Sequence, residues 1–166
     1  MAVVDVLVSR TGRDLQRYDE VGRRQVVGCI PYRCNNPSND ADINDLEVLM
    51  ISSQKKRHIM LFPKGGWEQD ESIVQAAERE TYEEAGVTGT IKTGLGRWLF
   101  KSKRFGSDYE GYMYPLLVEK LLDNWPEKNV RQRKWMTVDE AKKSCPHDWM
   151  IEALEELVLR LQQKGN

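Results

Sequence analysis

Apolar positions recur along the last third of the chain at a helical period. Met150, Ile151, Leu154, Leu157, Val158 and Leu161 make one stripe after Asp148 at the cap position, so a packing helix is predicted there. Thr137 and Glu140 form a capping box and predict a short helix to about Lys143. Upstream the apolar residues come in short runs instead. Gln25–Tyr32, Leu46–Ser52, Ile59–Phe62, Thr90–Thr93, Arg97–Ser102, Tyr112–Val118 and Lys134–Met136 read as strands. Gly28 and Pro31 suggest a bulge or an edge in the first of these, and Pro115 suggests the same for Tyr112–Val118. Residues 35–45 are a turn-rich surface loop, and the segment Lys103–Asp108 is a basic loop.

A further helix interrupts the strands. Ser72 with Gln75 is a capping box, Ala76 and Ala77 favour helix, and Gly86 stands where a left-handed cap ends it. Strands before and after a central helix, closed by another helix, predict an α/β sandwich with a mixed sheet. With no repeat and no linker, the 166 residues are expected to form one domain, 1–166, with residues 1–20 as a basic arm packed on it. Arg10, Arg13, Arg17 and Tyr18 are the notable side chains of that arm.

The central helix carries the chemistry. Glu80, Glu83 and Glu84 fall at i, i+3 and i+4, which gathers three carboxylates on one face. Their repulsion calls for a hard divalent cation. A solvated acidic face is the simpler reading of such a cluster, but three neighbours argue against it. The pair Gly65-Gly66 precedes the helix, Arg79 is positioned to brace a carboxylate, and Ile59–Phe62 delivers the chain to the glycines.

Composition narrows the partners. Charged residues are 31% and the net charge is −1, so neither a nucleic acid nor a membrane partner is expected. The basic residues nevertheless bunch, in Arg10–Arg24, Lys55–His58, Lys101–Arg104 and Arg131–Lys134. Brought together beside the acidic helix, they would suit a strongly anionic substrate. Cys29, Cys34 and Cys145 have no framework spacing and are expected as reduced thiols. The first residues lack a basic leader and no stretch reaches membrane-spanning length, from which a cytoplasmic or nuclear protein is expected.

The spacing Gly65, Glu71, Arg79-Glu80, Glu83-Glu84, Gly86-Val87 resembles the box of the Nudix hydrolases, with all seven specified identities in register. Thr81 departs from the bulky aliphatic residue of that pattern. The resemblance implies a Nudix fold, an α/β/α sandwich with the box helix on one face of a mixed sheet and the C-terminal helix on the other. It implies Mg²⁺, with Mn²⁺ as a substitute, and hydrolysis of a diphosphate. It also implies a catalytic set of Glu80, Glu83, Glu84 and Arg79. Glu80 and Glu84 are then the main ligands, Glu83 a ligand or the general base, and the carbonyl of Lys64 a further ligand. Arg79 has a plainer reading, as the partner of Glu71 or Glu83.

The flanks SRTGRDLQRYD, RRQVVGCIPYR, LMISSQK, LFPKGGWE, GYMYPLLV and WPEKNVRQRKWMTVDEA resemble the diphosphoinositol polyphosphate phosphohydrolase branch of that family. That likeness marks Arg10, Arg24, Ser53, Lys55, Lys103, Arg104, Arg131 and Arg133 as contacts for phosphates around an inositol ring. Lys64, Gly65 and Gly66 at the box join the substrate-contacting set. Many phosphates need many charge-assisted donors, which guanidinium groups supply in pairs. The expected substrate is an inositol pyrophosphate, with dinucleoside polyphosphates as a related class, acted on by a monomer. Rival readings are hydrolysis of ADP-ribose, NADH or capped RNA, for which Trp67 and Tyr109 are the aromatic candidates, and a non-catalytic inositol-pyrophosphate-binding module.

Overall fold

The computed structural model of the protein describes residues 8–35, 45–101 and 108–164. Its strands are β1 (Arg24–Cys34), β2 (Leu46–Ser52), β3 (Met60–Leu61), β4 (Lys64–Gly66), β5 (Val87–Ile91), β6 (Gly96–Lys101), β7 (Asp108–Leu121) and β8 (Arg133–Thr137). Its helices are α1 (Ile73–Ala85), α2 (Val138–Ser144) and α3 (Asp148–Lys164). The strands form one mixed sheet in the order β3-β2-β1-β7-β5, with β4 on β1, β6 on β7 and β8 on β2. β1 and β7 run parallel and the other pairs antiparallel.

Side chains alternate across a strand, and β2 shows why the sheet needs cover on both faces. Leu46, Val48 and Met50 join Met150, Leu154 and Leu157 of α3 in one core. Leu49 and Ile51 join Ala76, Ala77 and Ala85 of α1 in the other. The result is the α/β/α sandwich with α1 and α3 on opposite faces. Small residues on α1 let the helix lie close to β1, where Val27 and Cys29 face it. Thr81 is fully buried on this face and donates its hydroxyl to the Ala77 carbonyl at 2.8 Å, so it fills the position without an unpaired polar atom. All three cysteines are free thiols.

The proline readings need correction. β1 and β7 are central strands, and their register runs unbroken from Arg24↔Tyr109 to Tyr32↔Leu117. Each proline sits at a seam between two partner strands. β7 leaves β6 at Met113 and meets β5 at Leu116, so Pro115 faces the turn between them, where its carbonyl accepts from Lys92 at 2.9 Å. β1 leaves β4 at Gly28 and meets β2 at Tyr32. Cys29 donates to Pro63 across that gap at 3.1 Å, and Pro31, two residues on, faces the same way. A missing N–H leaves no ladder partner unsatisfied at either place. Gly28 marks neither bulge nor edge, because a Cβ there would lie 2.7 Å from that of Lys64.

Other boundaries also shift. The glycines before the helix are strand β4 rather than loop, β5 starts directly after Gly86, and β7 extends to both sides of Tyr112–Val118. The loop of residues 36–44 and the basic loop of residues 102–107 lie outside the described residues.

Helix α1 ends as its sequence requires. Gly86 takes φ 66 and ψ 38, and its N–H donates to the Tyr82 carbonyl. A Cβ at Gly86 would meet the Trp125 ring at 2.6 Å and Arg133 at 2.8 Å. Left-handed backbone disfavours any side chain by roughly 1–2 kcal/mol before that collision is counted. Gly86→Ala is therefore expected to lower unfolding stability by about 2 kcal/mol or more in urea titrations. A loss below about 0.5 kcal/mol, typical of a surface change, would contradict this account of the helix end.

Candidate active site

One guanidinium gathers the polar groups of the box helix and strand β4. Arg79 donates from Nε to Glu71 at 2.9 Å and from Nη2 to Glu71 at 2.6 Å and to the Gly66 carbonyl at 2.9 Å. From Nη1 it reaches Glu80 and Glu83, each at 2.9 Å. All five of its N–H donors are engaged. Burial works against its charge, but the bonds from Glu71 and the charges of Glu80 and Glu83 overcome this and raise its pKa. Arg79 thus braces carboxylates and does not line the open cleft.

The glutamates have further partners. Glu83 accepts the backbone N–H of Arg10 at 2.7 Å. Glu84 accepts the N–H of Lys64 at 2.8 Å and Nη2 of Arg131 at 3.1 Å. Gly65 is required here, since a Cβ would enter the Glu80 carboxylate, and one at Gly66 would enter the Gln16 amide. The two glycines thus leave β4, paired with β1, room for the Glu80 carboxylate and the Gln16 amide to lie directly against its backbone.

Burial raises the pKa of Glu80, Glu83 and Glu84. For Glu80 the neighbouring charge of Glu84 adds to it, while Arg131 and Lys64 oppose it at Glu84. At Glu71 burial also acts upward, but the Arg79 bonds and the Glu68 N–H prevail and the pKa is lowered. The site is an acidic cluster in low dielectric whose counter-charges are incomplete. Its donors are oxygens, with neither histidine nor thiol, which fits a hard ion such as Mg²⁺. Among the described residues no three acidic, histidine or cysteine side chains are already gathered in a coordination shell. Glu80 and Glu83 pair with Arg79, and Glu84 with Arg131.

Beside them lies a cleft of about 420 Å³. It brings together Glu80, Glu83 and Glu84 with Arg10, Arg24, Lys64, Gly65, Gly66 and Arg131 of the expected substrate set, and adds Arg13. Ser53, Lys55 and Arg133 are not part of its wall. Arg133 instead stacks on Trp125 and donates to the carbonyls of Ala85, Gly86 and Leu122, which closes the end of α1. Lys103 and Arg104 lie outside the described residues. Trp67 donates to the Glu71 carbonyl, packs edge-on against Tyr112 and carries Arg17 over its ring, so its role is local packing.

Gln16, Glu68 and Glu127 are among the cleft residues that the sequence did not mark as site residues. Gln16 and Glu68 are buried, the first bonded to Arg24 and the second to Arg10. Glu127 pairs with Arg131 four residues on, and that spacing was the legible signal.

A model of the NUDIX domain matches residues 22–157. Nudix hydrolase 18, mitochondrial, of Arabidopsis thaliana is 57% identical over 155 residues, which cover 93% of this chain and 87% of that protein. Nudix hydrolase 21, chloroplastic, of the same plant is 55% identical, covering 93% and 76%. Diphosphoinositol polyphosphate phosphohydrolase 2 of Mus musculus is 35% identical, covering 86% and 75%. The fold superposes on a crystal structure of C. elegans Ap4A hydrolase with a TM-score of 0.63 at 22% identity, over 82% of this chain and 97% of that one. The names of the plant relatives overturn the expected cytoplasmic or nuclear placement, since those proteins are called mitochondrial and chloroplastic. Organelle addresses are read from targeting segments and not from a folded core, so the composition of the domain carried no such information.

The raised carboxyls set a pH dependence. Between its ordinary value of 4.5 and its folded value, each of Glu80 and Glu84 keeps its proton in the folded chain and loses it in the unfolded one. Their contribution to stability therefore falls as pH rises from 4.5 into the neutral range. Glu71, shifted the other way, has its effect below 4.5. Melting of the protein in chelator between pH 5 and 8 is expected to drop with pH, and Glu84→Gln to flatten the slope by up to about 1.4 kcal/mol per pH unit. Equal slopes for the two proteins would refute this assignment.

Proposed function

Because the chain belongs to the Nudix hydrolase family, we propose that it hydrolyses the diphosphate of an inositol pyrophosphate with Mg²⁺, Mn²⁺ serving as a substitute. The observation that carries this reading is the cleft itself, which Arg10, Arg13, Arg24, Lys64 and Arg131 line together with the box glutamates. A ring bearing many phosphates needs such a concentration of donors, and the similarity to the mouse diphosphoinositol polyphosphate phosphohydrolase points the same way. Phe100 and Tyr109 on the same wall favour a second reading, a dinucleoside polyphosphate whose base lies on an aromatic ring.

Glu80, Glu84 and the Lys64 carbonyl are the groups that would hold the ion, which when bound neutralises phosphate charge and lowers the pKa of water. Glu83 is proposed to take the proton of the attacking water. The Arg10 N–H and Arg79 fix both of its oxygens, and burial raises its pKa toward the working range of a base. Water then adds across the P–O–P bond, and the released phosphate leaves past the basic wall. We further take residues 1–166 as one domain acting as a monomer, with residues 8–20 of the arm completing the cleft through Arg10 and residues 1–7 outside the described residues.

With Mg²⁺ and a diphosphorylated inositol phosphate, Glu83→Gln and Glu84→Gln are each expected to lower kcat by about 100-fold or more in a phosphate-release assay. Release at the parent rate by either variant would end the reading of that glutamate. In a panel under one metal condition, kcat/KM should rank inositol pyrophosphates first. A higher value for dinucleoside polyphosphates would select the second reading, and for ADP-ribose would reject both.

A further inference from the structure

A carboxylate lines the wall proposed to bind a polyanion, and its surroundings explain why. Glu127 lies in the connection from β7 to β8, whose backbone is tied to the end of α1. Its own N–H donates to the Glu83 carbonyl at 3.0 Å, and the Trp125 indole donates to the Glu84 carbonyl at 3.2 Å. A turn closed by the Arg131 N–H to the Glu127 carbonyl at 3.0 Å sets the two side chains on one side. The Glu127 side chain is 14% exposed and that of Arg131 11%.

Glu127 Oε1 accepts from Arg131 Nε at 2.9 Å and from Gln54 Nε2 at 2.8 Å, and Oε2 accepts from Ser9 Oγ at 3.0 Å. Arg131 Nη1 donates to the Ser52 carbonyl at 2.9 Å. The planar guanidinium is thus held along one side by Glu127 and Ser52. Its remaining nitrogen, Nη2, points to Glu84, 3.1 Å away, at the edge of the metal carboxylates. An arginine on a flexible stem gains phosphate affinity when its plane is fixed beforehand, because less freedom is lost on binding.

We propose that Glu127 is a positioning residue for substrate binding. It orients Arg131 so that Nη2 meets a phosphate of the substrate beside Glu84, and the benefit of that orientation exceeds the repulsion of its own charge. The inference rests on the reading of Arg131 as a phosphate-binding residue. Its sign is opposite to that of a bystander. Removing a negative charge from an anion site should by Coulomb attraction lower KM, whereas removing the support of Arg131 should raise it.

The test is steady-state kinetics with a diphosphorylated inositol phosphate and Mg²⁺ for Glu127→Gln, Glu127→Ala, Arg131→Ala and the double variant, with melting followed in parallel. Each single change is expected to raise KM about tenfold while kcat stays within about threefold, and the double variant to be no worse than Arg131→Ala. Glu127→Gln keeps the side-chain volume and remains informative if Glu127→Ala fails to fold. Unchanged or lowered KM in Glu127→Gln, with KM raised in Arg131→Ala, overturns the proposal while leaving Arg131 as a phosphate contact. A lower melting temperature with unchanged KM has the same meaning. Unchanged KM in Arg131→Ala removes the phosphate-binding reading of Arg131 and this inference with it, and a parent protein inactive on the substrate rejects the proposed function first.

Discussion

Arg79 is the interaction on which the site depends. It ties Glu71, the Gly66 carbonyl, Glu80 and Glu83 to one planar group, and so joins the start of the box, strand β4 and the acidic face of α1. Carboxylates buried this close are stable only when fixed cations and N–H groups share their charge. Glu71, Glu80 and Glu83 share Arg79, Glu84 and Glu127 share Arg131, and Glu68 pairs with Arg10. Arg79 and Arg131 thus each serve more than one carboxylate.

Bringing the cluster against the sheet demands missing atoms. A Cβ at Gly28 would strike the Pro63 carbonyl, Gly65 and Gly66 leave room for the Glu80 and Gln16 side-chain ends, and Ala76 and Ala77 keep α1 low over β1. The same economy governs the prolines. Pro31 and Pro115 stand in central strands at positions where the ladder passes from one partner to the next, so neither interrupts a hydrogen bond. Partner exchange along β1 and β7 in turn lets short strands such as β4 enter the sheet and present the box glycines to the helix.

Segments distant in sequence complete the cleft. The arm contributes Ser9 and the backbone of Arg10, the turn after β2 contributes Gln54, and the connection before β8 contributes Glu127 and Arg131. Each is fixed by polar contacts to α1 or to another of these segments, whereas the two apolar cores lie on the faces of the sheet. The apolar interior therefore specifies the frame, and a polar network specifies the site.

Much of this was legible in the chain before folding was considered. Helix caps at Ser72, Thr137 and Gly86, the stripe of α3 and the register of Glu80, Glu83 and Glu84 are local, because the backbone period alone brings those residues together. Strand ends and strand partners were less legible, since Pro31 and Pro115 mean edge in isolation and seam only when both neighbours are in place. The basic residues were the least legible. Arg10, Arg131 and Arg133 look alike in sequence, yet one reaches the box through its main chain, one is held between Glu127 and Glu84, and one caps a helix beneath Trp125. A charge acts over distances that only the folded chain defines. The sequence by itself determined the acidic box helix and the family, because both rest on local spacing, and the tertiary structure decided which cations stand beside it, because those come from segments far apart in the chain.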